Sequence, residues 1–115
     1  MKMIIAMIKP DRLDNVISML KAKDIRRLTV FEVRGFGHQM GHLEVYRGQE
    51  FEVRLVHKIQ LEIAVNDDFV EPTIDAIMTG ARTEGGGAIG DGKIFVLDLE
   101  EAIKIRTGER GEVAI

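Results

Sequence analysis

The chain has 115 residues, enough for one hydrophobic core but not two. Hydrophobic residues make up 45%, charged residues 30%, the formal net charge is -3, and cysteine is absent. The charge disfavours general nucleic-acid or anionic-membrane binding, and the lack of thiols excludes disulfides, thiolate catalysis and thiolate metal sites.

A single domain over 1–115 is therefore expected. The apolar run Met3 to Ile8 is too short for a signal segment or a membrane span, so a cytoplasmic protein is expected, with no direct membrane insertion. Met1 to Lys9, bounded by Pro10, reads as a buried strand. Asp11 is placed to cap a following helix, whose apolar face is Leu13, Val16, Ile17 and Leu20. Arg27 to Phe36 is rich in β-branched and aromatic residues and reads as a second strand. In Lys58 to Val65, Ile59, Leu61, Ile63 and Val65 alternate with Lys58, Gln60 and Glu62, as in a strand with one buried face.

Asn66, Asp67 and Asp68 offer a helix cap, and Pro72 suits a first helical turn. Val70, Ile74, Ile77, Met78 and Ala81 mark the apolar stripe of the second helix. Thr83 to Gly92 is a glycine-rich loop and Lys93 to Leu97 a strand of the apolar-run kind. Ile103 to Thr107 reads as a short alternating strand, with Ile103 and Ile105 inward and Lys104 and Arg106 outward. The last residues are expected to be loose or docked on a neighbour. The order βαββαβ plus a short final strand predicts an α+β, ferredoxin-like sandwich: two helices on one face of an antiparallel sheet.

About 20 residues, from Gly37 to His57, separate the second and third strands, where a hairpin loop usually takes roughly 2–5. Leu43 and Val45 alternate with Glu44, and Phe51, Val53 and Leu55 with Glu52 and Arg54; Tyr46 to Glu50 is the expected tip. The segment either extends the core sheet or forms a ribbon that leaves the body. A projecting ribbon carrying apolar side chains and Arg47 would suit recognition of a protein partner.

Two glycine clusters suggest anion binding. Gly35-Phe36-Gly37-His38-Gln39-Met40-Gly41 has one residue too many for a dinucleotide fingerprint and opens no helix. What it offers is exposed backbone N–H groups. Gly87 to Lys93 satisfies G-x-x-x-x-G-K, but Ile94 stands where a P-loop needs Ser or Thr, and this loop runs from helix to strand. Its glycines can still curl around an anion, with Lys93 as a point charge. Lys104 and Arg106, two apart on the expected strand, add two cations on one side. Together these features favour an anionic ligand such as a nucleotide.

The chain resembles the PII nitrogen-regulatory signal transduction proteins over essentially its whole length. The matching segments are Ile8-Lys9-Pro10, Thr29-Val30, Gly35-Phe36-Gly37, Gly41-His42, Tyr46-Arg47-Gly48, Ala81-Arg82-Thr83, Ile89 to Val96, and Ile105 to Glu109. The resemblance implies a homotrimer with ATP or ADP in clefts between neighbours. It implies that 2-oxoglutarate binds with ATP and Mg²⁺ at the base of a long T-loop, here about 37–57. That loop then docks on partners such as an ammonium transporter or enzymes of nitrogen assimilation.

Carried over by position, Thr29 would contact adenine. Gly35, Gly37, His38 and Gln39 would lie at the nucleotide, with Gln39 also ligating Mg²⁺. Gly90, Asp91, Gly92 and Lys93 would wrap the phosphates, and Lys104 and Arg106 would reach them from the adjacent subunit. Lys58, with Gln39, Gly37 and Gly41, would hold 2-oxoglutarate. Tyr46, Arg47, Gly48 and Phe51 would belong to the partner-binding loop. An oxygen ligand suits hard Mg²⁺, and ammonium groups suit carboxylate and phosphate.

Some positions depart from the family pattern. Phe51 stands where many relatives carry the tyrosine that is uridylylated, and without a hydroxyl it cannot be modified. Gln49 replaces a phosphorylated serine, His38 a basic residue and Lys104 an arginine, which gives up the bidentate fork. Glu84 to Ala88 makes the phosphate loop about three residues longer than the usual form.

Two other functions are weighed. A nucleotide hydrolase or kinase could draw on His38, His42, His57, Asp67, Asp68 and Asp91, but no nucleophile–base pair is spaced for it. A metal-binding trimer of similar topology could use His38 and His42, a weak pair on one segment.

Overall fold

The computed structural model describes residues 1–36, 45–46, 49–50 and 55–115, the two middle pairs by their backbone. Eight elements follow in chain order: β1 (Lys2–Ile8), α1 (Leu13–Ala22), β2 (Thr29–Gly35), β3 (Val45–Tyr46), β4 (Gln49–Glu50), β5 (Val56–Val65), α2 (Val70–Ala81) and β6 (Gly92–Asp98). β2, β5, β1 and β6 form one antiparallel sheet in that spatial order. This is the expected ferredoxin-like sheet with two helices on it.

The alternation read in the third long strand is the alternation observed. Ile59, Leu61, Ile63 and Val65 of β5 face the core beside Ile4, Ala6 and Ile8 of the central strand β1. Val16 and Leu20 of α1 and Ile77 and Ala81 of α2 close that core from above. The helices touch where Gly80 meets Val16: a Cβ on Gly80 would lie 2.8 Å from the Val16 Cα. Of the expected α2 stripe, Val70 and Ile74 are partly buried, while Met78 is exposed.

Among the described residues, no helix packs on the other face of the sheet. Cross-strand register sets Val33 against Lys58, Phe31 against Gln60, Met7 against Gln60 and Lys93, Ile5 against Glu62 and Phe95, and Met3 against Leu97. These residues share the open side. β6, read from sequence as a strand of the apolar-run kind, is an edge strand, with Phe95 49% and Leu97 46% exposed. No described residue covers that apolar run.

Three local expectations are corrected. Pro10–Arg12 forms a 3₁₀ turn before α1, so Asp11 lies in the turn and α1 begins without a side-chain cap. Pro10 fixes its own φ and opens a tight turn, which displaces the helix start beyond the reach of Asp11. Asp67–Phe69 is a second such turn, and neither Asn66 nor the aspartates cap α2. Asp67 instead accepts from the Met1 ammonium at 2.8 Å, and Asn66 Nδ2 donates to the Glu112 carbonyl at 3.2 Å. Pro72 does sit in the first turn of α2, where a missing N–H costs nothing.

The third correction concerns Ile103 to Thr107. It is no strand: one bridge joins Ile103 to Arg110, and the chain turns between them. Gly108 N–H donates to the Lys104 carbonyl at 2.7 Å, and Lys104 N–H to the Glu109 carbonyl at 2.9 Å. Thr107-Gly108 supplies turn chemistry, with Gly108 at φ 75°, and that outweighs a two-residue alternation. Ile103 and Ile105 therefore point outward, Ile105 completely.

β3 and β4 pair with each other, Val45 with Glu50 and Tyr46 with Gln49, in a sheet separate from the main one. Among the described residues, β3 and β4 pair only with each other. Tyr46, Gln49 and Glu50 lie in its ladder and not in a free tip. Val56 and His57, assigned to the loop from sequence, pair with Gly35 and Arg34 in the core sheet.

Candidate functional site

The loop from Arg82 to Asp91 joins α2 to β6 at one end of the sheet. The sequence explains its shape. Gly85, Gly86 and Gly87 all take positive φ, which lets the chain bulge and return. Gly92, where β6 starts, has φ 110°, and a Cβ there would lie 1.6 Å from the Met7 carbonyl oxygen. Only glycine lets the loop re-enter the sheet beside β1.

Asp91 ties the loop together. Its Oδ2 accepts from the backbone N–H groups of Thr83 and Ala88, both at 2.9 Å. Its Oδ1 accepts from the Thr83 hydroxyl at 2.5 Å and lies 3.2 Å from the Lys9 ammonium. Lys9 also donates to Thr83 Oγ1 at 3.1 Å. The Thr83 hydroxyl and the two backbone donors hold the Asp91 carboxyl far below the ordinary carboxylate range.

Lys58 reaches the same turn from β5 and donates to the Gly90 carbonyl at 2.7 Å. Partial burial, and then the nearby Lys9 charge, lower its pKa from 10.5. Lys93 stands opposite Met7 on the open face. Gly35, Phe36, Val56, Lys58, Ile89, Gly90, Lys93 and Phe95 are among the walls of a concavity of about 540 Å³. That is the size of a small-molecule site, apolar along its walls with cations at one end.

The structure thus brings together Gly35, Lys58, Gly90, Gly92 and Lys93. It separates Asp91, whose carboxylate is turned into its own loop and which does not line this concavity. It also separates Thr29, which pairs with Glu62 at the far end of β2, six residues or about 20 Å from Gly35. Lys104 and Arg106, read as neighbours on one strand face, lie instead on the C-terminal turn and do not line this concavity. Lys104 is 3.6 Å from Glu109, whose pKa is lowered first by Thr107 and then by Lys104. Gly37, His38, Gln39, Gly41, Arg47, Gly48 and Phe51 lie outside the described residues, as does the side chain of Tyr46. Among the described residues no group of three His, Asp or Glu could hold a metal.

Sequence reasoning gave Lys9 and Thr83 no role. The available signal was composition: a cation ending an apolar strand and a hydroxyl just past a helix, both placed to meet a loop aspartate.

The family model for the nitrogen regulatory protein P-II matches residues 1–109. The chain belongs to the P-II nitrogen regulatory protein family. It is 54% identical to the nitrogen regulatory protein GlnK1 of Methanosarcina mazei over all 115 residues, covering 97% of that protein. It is 53% identical to the nitrogen regulatory protein P-II of Pasteurella multocida over the whole of both chains. Among solved structures it is similar to Arabidopsis thaliana PII bound to citrate, with a TM-score of 0.80 and 42% identity over 99% of this chain and 91% of that one. The resemblance read from the sequence is therefore correct, and so is the fold. Membership makes the chain a nitrogen-regulatory protein and not an enzyme, against the hydrolase and kinase alternative. No helix among the described residues is long and apolar enough to cross a membrane.

Proposed function

We propose that this P-II protein senses ATP or ADP, and 2-oxoglutarate with Mg²⁺-ATP, and signals through the segment of about residues 37–57. The observation that carries the reading is the concavity in which Lys58 and Lys93 meet the Gly90–Gly92 turn and Gly35. Backbone N–H groups and an ammonium suit phosphate, and a partly dehydrated second ammonium suits a carboxylate. The citrate on the Arabidopsis relative fits a site that accepts polycarboxylates.

In this reading the site is shared between copies. Thr29 lies about 20 Å from Gly35, at the far end of β2, and in this reading the two ends of one copy serve different clefts. A neighbour in a homotrimer would present its Thr29 to the adenine and its Lys104 and Arg106 to the phosphates. Gln39 would hold Mg²⁺ together with the phosphates. The loop bearing Tyr46, Arg47, Gly48 and Phe51 would dock on an ammonium transporter or an enzyme of nitrogen assimilation in the cytoplasm. Phe51 leaves the usual uridylylation position without a hydroxyl, and Tyr46, the one tyrosine of the chain, is not at that position, so bound ligands alone would set the loop's state.

Titration calorimetry tests the proposal. ATP·Mg²⁺ is expected to bind to the wild type, and 2-oxoglutarate only after it. Lys93→Ala is expected to weaken ATP about tenfold or more, the loss of one charge-assisted contact. An unchanged affinity would remove the turn from the site. Sustained ATP turnover at roughly 1 per second or faster would overturn the signalling reading.

A further inference from the structure

We infer that Lys9 and Thr83, acting through the Asp91 side chain, are positioning residues that hold the Gly90–Lys93 turn in its anion-receiving shape. The inference rests on the functional reading above and adds to it the part that sets the loop. An ionised carboxylate has about four lone-pair sites, and four donors reach Asp91: Thr83 N–H, Thr83 Oγ1–H, Ala88 N–H and the Lys9 ammonium. No site is left on the side chain for a phosphate partner or a cation.

The arrangement solves an electrostatic conflict. A carboxylate beside a phosphate-binding turn would repel its ligand. Here it faces inward, 19% exposed, against Lys9 at 22%. The same bonds clamp both ends of the glycine bulge, Thr83 before it and Ala88 after it. The clamp is one residue from Gly90, whose carbonyl is held by Lys58, and from Gly92, wedged on Met7. The turn is thereby fixed on three sides while its outer face stays open, so a ligand meets a preorganised loop. A long glycine-rich loop without such a clamp would have to be ordered by the ligand at an entropic cost.

The test compares Thr83→Val, Thr83→Ser and Lys93→Ala in the full chain by two readouts. One is amide hydrogen exchange of residues 83–91 without ligand; the other is ATP·Mg²⁺ affinity by calorimetry. Removing the hydroxyl removes a bond to a charged group, so Thr83→Val should speed exchange at Ala88 and weaken ATP, each about tenfold or more. Thr83→Ser should restore both, and Lys93→Ala should weaken ATP while leaving exchange unchanged. Wild-type binding with an unaltered affinity in Thr83→Val overturns the inference, whether or not exchange changes. Failure of serine to rescue also overturns it, because the loss would then come from packing. If Lys93→Ala binds as tightly as wild type, it is the site reading that falls.

Discussion

Asp91 brings a negative charge to the edge of a turn built for anions, and its bonds decide the sign of its effect. Its pKa is depressed in the fold by Thr83 and the backbone donors, so the carboxylate stabilises the protein fully above its unfolded pKa, near 4. That contribution is lost as pH falls below this value toward the depressed one. Asp91→Asn is therefore expected to cost roughly 1–3 kcal/mol at pH 7, with the gap from wild type narrowing at pH 3. Urea unfolding at the two pH values checks it; a gap that widens in acid would contradict the sign. Gly92 is a second single-residue test. A Cβ 1.6 Å from the Met7 oxygen at φ 110° forces both strain and a clash, so Gly92→Ala should lose at least ~2 kcal/mol in thermal unfolding. The glycine-rich loop and Lys93 beside it were legible because their chemistry is local, whereas Lys58 entered through the family resemblance and Lys104 was placed on a strand that is a turn. The inward turn of Asp91 was not legible, because it rests on the fold of the loop, which brings Thr83 and Ala88 to the carboxylate, and on Lys9, 82 positions away in the chain.

At the scale of elements, the α1–α2 contact is close enough to need glycine at position 80. Gly80→Ala sets two effects against each other. Alanine favours a helix over glycine by about 1 kcal/mol, whereas overpacking costs about 1–3 kcal/mol. The new Cβ would meet the backbone of Val16 at 2.8 and 2.9 Å, and backbone cannot step aside as a side chain can. The clash should win, with a lower denaturant midpoint for Gly80→Ala. A raised midpoint would show that the helices separate freely. Elements with long, consistent periodicity were legible in advance, as β5 and α1 show. Their ends were not: Asp11 and Asn66 carry good capping chemistry, yet each adjoins a 3₁₀ turn that moves the helix start. Ile103 to Thr107 shows the weakness of a short pattern. Two alternations cannot tell a strand from a turn.

At the scale of the whole molecule, the open face of the sheet is unfinished. Phe31, Phe95 and Leu97 are 40–49% exposed on a surface that also carries Met3, Ile5 and Met7. Apolar surface of this kind in one patch marks an association site. A charge at Leu97, opposite Met3 and away from the nucleotide end, should break the proposed trimer without unfolding the chain. Light scattering should then report a monomer for Leu97→Glu, with an unchanged circular dichroism spectrum; an intact trimer would place the interface elsewhere. The separation of Thr29 from Gly35 along β2 has a further consequence under this arrangement. A ligand that needs two copies to complete its pocket favours their association, and by mass action association favours the ligand. At dilutions where copies come apart, nucleotide affinity would fall along with the population of neighbours. The sensor's threshold would then depend on its own abundance as well as on the metabolite it reads, so a cell could reset it by changing expression alone.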